Sequence, residues 1–210
     1  MNVVAIIQAR TGSTRLPNKI FSELSGHSLL YHVVDRLKPC KEIDEIVIAT
    51  TTSTRDNSIV EWCNDNYVNY YRGSEENVLK RYYDTAKEFK AEIIIRVTAD
   101  DPFKDYRAID KAIKTLKENK YDFVCNNCPV SFPEGLDIEV FTMRTLSNAF
   151  LHSTSNFEQE HVTQYIHRNK EKFKIFNIKN DQDLSNIRWT IDTKEDYLFV
   201  KEVYNNLYKK

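Results

Sequence analysis

EIIIRVTADDPFKDYRAIDKAIKTLKE, residues 92–118, decides the fold. Glu92–Thr98 is a short apolar run ended by a polar turn and reads as a buried strand, and Tyr106–Glu118 reads as a helix. The same unit precedes it three times. Asn2–Gln8 (NVVAIIQ) is a strand ahead of a polar loop and a helix over Ser28–Leu37. Glu45–Thr50 (EIVIAT) leads to a helix over Asp56–Asn64, and Val68–Arg72 to one over Glu75–Phe89. Strands alternating with helices predict an α/β fold with a mainly parallel sheet, because parallel neighbours need crossover connections.

Beyond residue 120 the pattern loosens. Asp122–Cys125, Asp137–Phe141, Phe173–Ile178 and Ile187–Ile191 read as strands, and Thr142–Leu151 and Glu158–Arg168 as helices. Thr193 with Asp196 three positions on is a helix-start signature for a last helix running to Tyr208. With no repeat, low-complexity tract or Pro/Gly-rich linker, residues 1–210 are expected to form one domain with an elaborated second half.

A chain of 210 residues buries about 70% of its unfolded surface and needs neither disulfide nor metal to hold a core. Hydrophobic residues at 41% and charged residues at 29% describe a soluble globule. The net charge of −1 argues against nucleic-acid binding by bulk charge. No apolar run approaches the roughly 18–20 residues of a membrane span, and no basic leader with a cleavage site follows Met1. The expectation is a cytoplasmic protein with no membrane or nucleic-acid partner. Cys40, Cys63, Cys125 and Cys128 then read as reduced thiols, since no second ligand pair accompanies Cys125-Asn-Asn-Cys128 to complete a zinc site.

Only four glycines occur, Gly12, Gly26, Gly73 and Gly135, far below the usual share of about 7%. Gly12 falls in the sharpest feature of the chain, the loop Gln8-Ala-Arg-Thr-Gly-Ser-Thr-Arg-Leu-Pro-Asn-Lys19 after the first strand. Ligands of open parallel sheets bind beyond the carboxyl ends of strands, where this loop lies. Gly12 permits close backbone approach, and Arg10, Arg15 and Lys19 supply three cations without an acid, a combination suited to polyphosphate. The loop is neither a Walker loop nor a dinucleotide fingerprint. A plain solvated basic turn is the alternative.

The fourth strand runs into Asp100-Asp101-Pro102, which places a carboxylate where Mg²⁺ could be held against phosphates; Asp101 reads as a turn or cap residue. Trp189-Thr-Ile-Asp192 repeats the arrangement, and Thr193 caps the following helix, leaving Asp192 free. Glu134, Gly135 and Asp137 form a candidate sugar-hydroxyl site or a simple turn. Glu160 and His161 begin a further candidate acceptor contact, with a surface histidine as the alternative.

With those residues read, the chain resembles the CMP-sugar synthetase-like cytidylyltransferases, the acylneuraminate and KDO enzymes, and most nearly their spore-coat polysaccharide branch. The matching stretches are IIQARTGSTRLPNK at 6–19, RGSEENVLKRY at 72–82, RVTADDPF at 96–103, PEGLDIEVF at 133–141, EHVTQYI at 160–166 and WTIDTKEDY at 189–197. The resemblance implies a Rossmann-like, GT-A-like three-layer nucleotidyltransferase fold, often homodimeric, that joins CTP to a sugar and releases pyrophosphate. It implies triphosphate binding by Arg10, Arg15 and Lys19, a nucleotide pocket lined by Ala9, Gly12 and Gly73, and Mg²⁺ on Asp100 and Asp192. Arg10, Lys19, Asp100 and Asp192 are thus the expected catalytic residues, Asp100 also touching nucleotide. Glu134, Gly135, Asp137, Glu160 and His161 are the expected acceptor contacts, and residues 72–81 fall where relatives complete the nucleotide site. The family's usual glycine before the first metal acid is Ala99 here, and Thr190 stands where the sialic-acid branch often has another acid.

The expected activity is Mg²⁺-dependent transfer of CMP to a sugar, first a nonulosonic acid and second a sugar phosphate. A glycosyltransferase using a nucleotide-sugar is the runner-up enzyme, although Asp100-Asp101 lacks the middle residue of an Asp-x-Asp. A catalytically inactive nucleotide-binding subunit is the non-enzyme alternative.

Overall fold

The computed structural model describes residues 1–209. Its nine strands are β1 Val3–Gln8, β2 Glu23–Leu24, β3 His27–Ser28, β4 Glu45–Thr51, β5 Asn69–Gly73, β6 Ile93–Thr98, β7 Phe123–Cys125, β8 Glu139–Thr142 and β9 Ile175–Asn177. The eight α-helices are α1 Leu29–Leu37, α2 Asn57–Asp65, α3 Val78–Glu88, α4 Tyr106–Asn119, α5 Met143–His152, α6 Asn156–Glu160, α7 Gln164–Arg168 and α8 Lys194–Leu207. Seven strands form one sheet in the order β5-β4-β1-β6-β8-β7-β9. The pairs β5–β4, β4–β1, β1–β6 and β7–β9 are parallel, and β8 alone runs against its neighbours β6 and β7.

The expected three layers follow from strands apolar on both faces. Along β1, Val3, Ala5 and Ile7 enter a core shared with α1, α2, α4 and α8, while Val4 and Ile6 enter a second core under α3, α5 and α7. This double burial is why β1, β4 and β6 read as continuous hydrophobic runs.

Four details depart from expectation. The segment Ile187–Ile191 is not a strand: Arg188 makes a single bridge to Glu134, and the Ile191 N–H turns instead to Asp100 O at 3.0 Å. The helix expected over Glu158–Arg168 is broken, because His161 leaves helical geometry (φ −107, ψ 52) between α6 and α7. α3 begins at Val78 rather than Glu75, because the Asn77 side chain caps it by accepting from the Lys80 N–H at 2.7 Å. The small hairpin of β2 and β3 was not expected; Ser25 and Gly26 turn it with φ of 48 and 89.

Candidate active site

The carboxyl ends of β1, β4 and β6 open on one edge of the sheet. The loop after β1 is fixed there by a residue that local sequence does not reveal. Asp56 is buried at the start of α2; its Oδ1 accepts from the Thr11 N–H at 2.8 Å and from Thr11 Oγ1 at 2.7 Å, and its Oδ2 accepts from Thr51 Oγ1. Burial opposes the charge on Asp56, but these hydrogen bonds outweigh it and hold its carboxyl below the ordinary range. Gly12 lies on the wall of the resulting cavity, with nothing within 4 Å of where a Cβ would stand.

Lys19 closes the loop in a short 3₁₀ turn, Lys19–Phe21. Its Nζ donates to Asp100 Oδ2, Asp192 Oδ1 and Ile191 O, each at 2.8 Å. The two strand-end acids expected from the sequence therefore meet at one point. The main chain holds them there, since the Ile191 N–H donates to Asp100 O. Arg15 pairs with Asp192 at 3.2 Å and Arg188 with the same carboxylate at 2.8 Å. Burial opposes ionisation of Asp192, but Lys19, Arg188 and Arg15 together keep its pKa low. Lys19 is likewise held above its ordinary range: burial works against it, and the charge and hydrogen bond of Asp100 prevail, with Asp192 adding to them. The two carboxylates and the carbonyl oxygen gathered around the Lys19 ammonium are hard oxygen donors of the kind that could hold a divalent cation.

Two cavities meet at this point. One, about 350 Å³, is lined by Ala9, Arg10, Gly12, Arg15 and Lys19. The other, about 380 Å³, contains Glu134, Gly135 and Asp137. Asp100, Asp192 and His161 line both. Glu160 borders a smaller adjoining cavity, and Gly73 lines none of the three; a Cβ there would stand 2.9 Å from Arg81 Cγ. Gly135 is required by its backbone: at φ +98, its Cβ would lie 2.8 Å from the carbonyl carbon of Trp189. The turn thus packs directly on the segment that carries Asp192.

Asp101 does not join Asp100 at Lys19. Its Oδ2 accepts from Thr98 Oγ1 at 2.7 Å and pairs with Lys104 at 2.9 Å. Nor does it cap α4, which Asp105 caps by accepting from the Arg107 N–H. Beneath the second cavity Arg96 pairs with buried Glu139 at 2.6 Å, and Thr163 and His167 also approach that carboxylate. Burial opposes ionisation of Glu139, but the Arg96 charge and hydrogen bonds from His167 and Thr163 drive its pKa far down. Asp56, Arg96, Glu139 and Arg188 were not singled out from the sequence, because each has a partner distant in sequence: Thr11 for Asp56, Glu139 for Arg96 and Glu134 for Arg188. Arg81 falls in the stretch 72–81, which was read only as a whole.

Loop cations beside two gathered carboxylates suit transfer of a nucleotidyl group, and the chain's family makes it a nucleotidyltransferase. Residues 4–209 match the family described as "Cytidylyltransferase", and the chain belongs to that family. A solved cytidylyltransferase from Leptospira borgpetersenii superposes with a TM-score of 0.95 at 36% identity, covering 100% of this chain and 89% of its own. The spore coat polysaccharide biosynthesis protein SpsF of Bacillus subtilis is 32% identical over 97% of this chain and 86% of its own length. A 3-deoxy-manno-octulosonate cytidylyltransferase of Geobacter sulfurreducens is 33% identical over 57% of this chain and 47% of its own.

Proposed function

We propose that the chain transfers CMP from CTP to the anomeric hydroxyl of a sugar acid, a nonulosonic acid used in surface polysaccharide, and releases pyrophosphate with Mg²⁺ as cofactor. The carrying observation is the meeting of Asp100, Asp192 and Lys19 where a basic-walled cavity joins an acid-rich one. The acceptor hydroxyl gives up its proton to water as its oxygen attacks the α-phosphorus in line, and the bond to the bridging oxygen of pyrophosphate breaks. Arg10, Arg15 and Lys19 neutralise the charge that grows on the leaving phosphates. Asp192, kept ionised, is a poor proton acceptor and a good cation ligand. Asp100 and Asp192 would hold Mg²⁺, which when bound would supply neutralisation of phosphate charge and Lewis acidity at the transfer point.

A sugar acid is favoured over a sugar phosphate by the charge of the second cavity. Six carboxylates line it, Asp100, Asp101, Glu134, Asp137, Glu139 and Asp192, and its cations Arg96 and Lys104 are already paired with Glu139 and Asp101. Sugar hydroxyls suit such a wall, and it repels a phosphate dianion more strongly than the single charge of a sugar acid. The relatives named for spore coat polysaccharide and for 3-deoxy-manno-octulosonate support the sugar reading. The further reading is of a homodimer working in the cytoplasm; no helix among the described residues is long and apolar enough to cross a membrane. Light scattering tests the dimer.

The decisive assay measures pyrophosphate release with CTP alone, with CTP and sugar acids, and with CTP and sugar phosphates. Release dependent on a sugar acid is expected. Release only with phosphorylated acceptors would retain the enzyme class and overturn the substrate.

A further inference from the structure

The guanidinium of Arg188 touches three carboxylates. Nη1 pairs with Glu134, on the turn that lines the acid-rich cavity. Nη2 pairs with Asp192 Oδ2 at 2.8 Å, and Nε with Asp196 Oδ1 at 3.1 Å in the first turn of α8. Only Arg can make such a fork: its planar group presents donors in fixed directions, whereas the ammonium of Lys is one point charge. The pair with Glu134 is half-exposed, and such pairs add little stability. What it fixes is direction.

Asp192 is gripped twice. Its N–H donates to Asp196 Oδ2 at 2.9 Å, and Asp196 closes the capping box of α8 with Thr193. Its side-chain Oδ2 is taken by Arg188, which leaves Oδ1 to face Lys19 Nζ at 2.8 Å. Arg15 also reaches Oδ2, at 3.2 Å, but its side chain is 64% exposed. A triphosphate in the basic-walled cavity draws on Arg15 and Lys19, which line it; Arg188 lies outside the walls of both cavities and keeps its carboxylates.

The acceptor side is tied to the same residue. The Glu134 N–H donates to Ile187 O at 2.9 Å, and the Trp189 N–H donates to Glu134 O at 2.8 Å, so the main chain of Glu134 brackets Arg188. Backbone and guanidinium together lock the turn to the segment that carries Asp192. We propose that Arg188 is a positioning residue for the transfer, setting from outside both cavities the spacing between Glu134 and the cation-facing oxygen of Asp192. The inference rests on the reading of the two cavities as phosphate and acceptor sites. Without the fork, Asp192 rotates and Glu134 swings free, so turnover and acceptor binding suffer while the triphosphate contacts stay.

The test uses Arg188→Lys, Arg188→Met and Glu134→Gln, with thermal melts to confirm folding. Calorimetry measures Mn²⁺ binding without nucleotide, and steady-state rates give kcat and KM for CTP and for the acceptor. Arg188→Met removes a cation that competes for Asp192, so Mn²⁺ should bind about 3- to 10-fold more tightly. Its kcat should nevertheless fall about 10- to 100-fold, the penalty of misplaced reacting groups. Arg188→Lys keeps the charge and loses the fork, so its Mn²⁺ affinity should match wild type while kcat falls. KM for CTP should stay within about twofold throughout. Glu134→Gln added to Arg188→Lys should raise acceptor KM no further than the larger single change. Wild-type kcat in either folded arginine variant would overturn the assignment, as would loss of Mn²⁺ binding in step with kcat, the mark of a residue that only keeps the segment folded. Additive effects on acceptor KM would overturn the link to Glu134. If Arg188→Met does not fold, Arg188→Lys decides. Wild-type turnover with phosphorylated acceptors alone would instead overturn the substrate reading, and the Arg188 comparison is then made on that acceptor.

Discussion

Lys19 occupies the point between Asp100 and Asp192 to which a divalent cation would also be drawn, and that competition shapes what substitutions do. Asp100→Asn and Asp192→Asn should both fold, since each carboxylate lies at an open sheet edge rather than in a core. Each should lower turnover by about 10²–10³-fold, the loss seen when transition-state electrostatics are removed. Pyrophosphate release at limiting Mg²⁺ measures this, and full activity in either variant refutes the metal assignment. Lys19→Ala and Arg10→Ala should weaken CTP binding and slow the chemical step, whereas Lys209→Ala at the exposed chain end should do neither. Lys19→Ala has a second consequence. It leaves two carboxylates facing one another without their cation, so Mg²⁺ alone should raise its melting temperature more than that of wild type. Equal shifts would show that the two acids do not share a cation.

At the scale of elements, the parallel half was legible because β1, β4 and β6 are buried on both faces and show it as unbroken apolar runs. The stretch Ile187–Ile191 has the same composition and is not a strand, because its N–H groups are taken by Glu134 and Asp100 from two separate loops. Periodicity cannot register such pairing. The loop cations and the acids Asp100 and Asp192 were readable from local chemistry; Asp56 was not, since its partner Thr11 lies 45 residues away. The Gly135 turn tests how far one element positions another. Gly135→Ala forces a Cβ against the Trp189 backbone and should cost about 1–3 kcal/mol in denaturant unfolding. It should also lower turnover, because Asp192 rides on the displaced segment. Wild-type stability and rate would show that the turn is slack. The start of α8 carries a pH signature. Asp196 is brought down to about 2 from the ordinary 3.8: burial opposes its charge, and Arg188 and the N–H groups of Asp192 and Thr193 overcome it. A depressed carboxylate gives stability that is complete above the unfolded value and lost as pH falls toward about 2. Asp196→Asn should therefore flatten the acid limb of stability between about pH 4 and 2. An unchanged limb would assign that loss to other carboxylates.

At the scale of the whole molecule, the basic-walled and acid-rich cavities lie side by side and share Asp100 and Asp192, so a nucleotide bound across them would touch both halves of the chain. The loop from β1 meets Asp100 after β6 and Asp192 ahead of α8, elements that are remote in sequence. A ligand spanning them should stabilise the native state as a unit. At a hundredfold excess over Kd the gain is about 2.7 kcal/mol, which in a chain of this size raises Tm by roughly 5–10 °C. The choice of base should come from the wall at Ala9. That residue is 3% exposed, and its N–H donates to Ala49 O at 3.2 Å, which ties the backbone to β4. A wall tied to the sheet cannot retreat to admit a purine. CTP with Mg²⁺ should therefore give the full shift, UTP a smaller one, and ATP or GTP little. Thermal melts at matched nucleotide and Mg²⁺ concentrations read the order directly, and a shift with ATP equal to that with CTP would show that this wall does not choose the base.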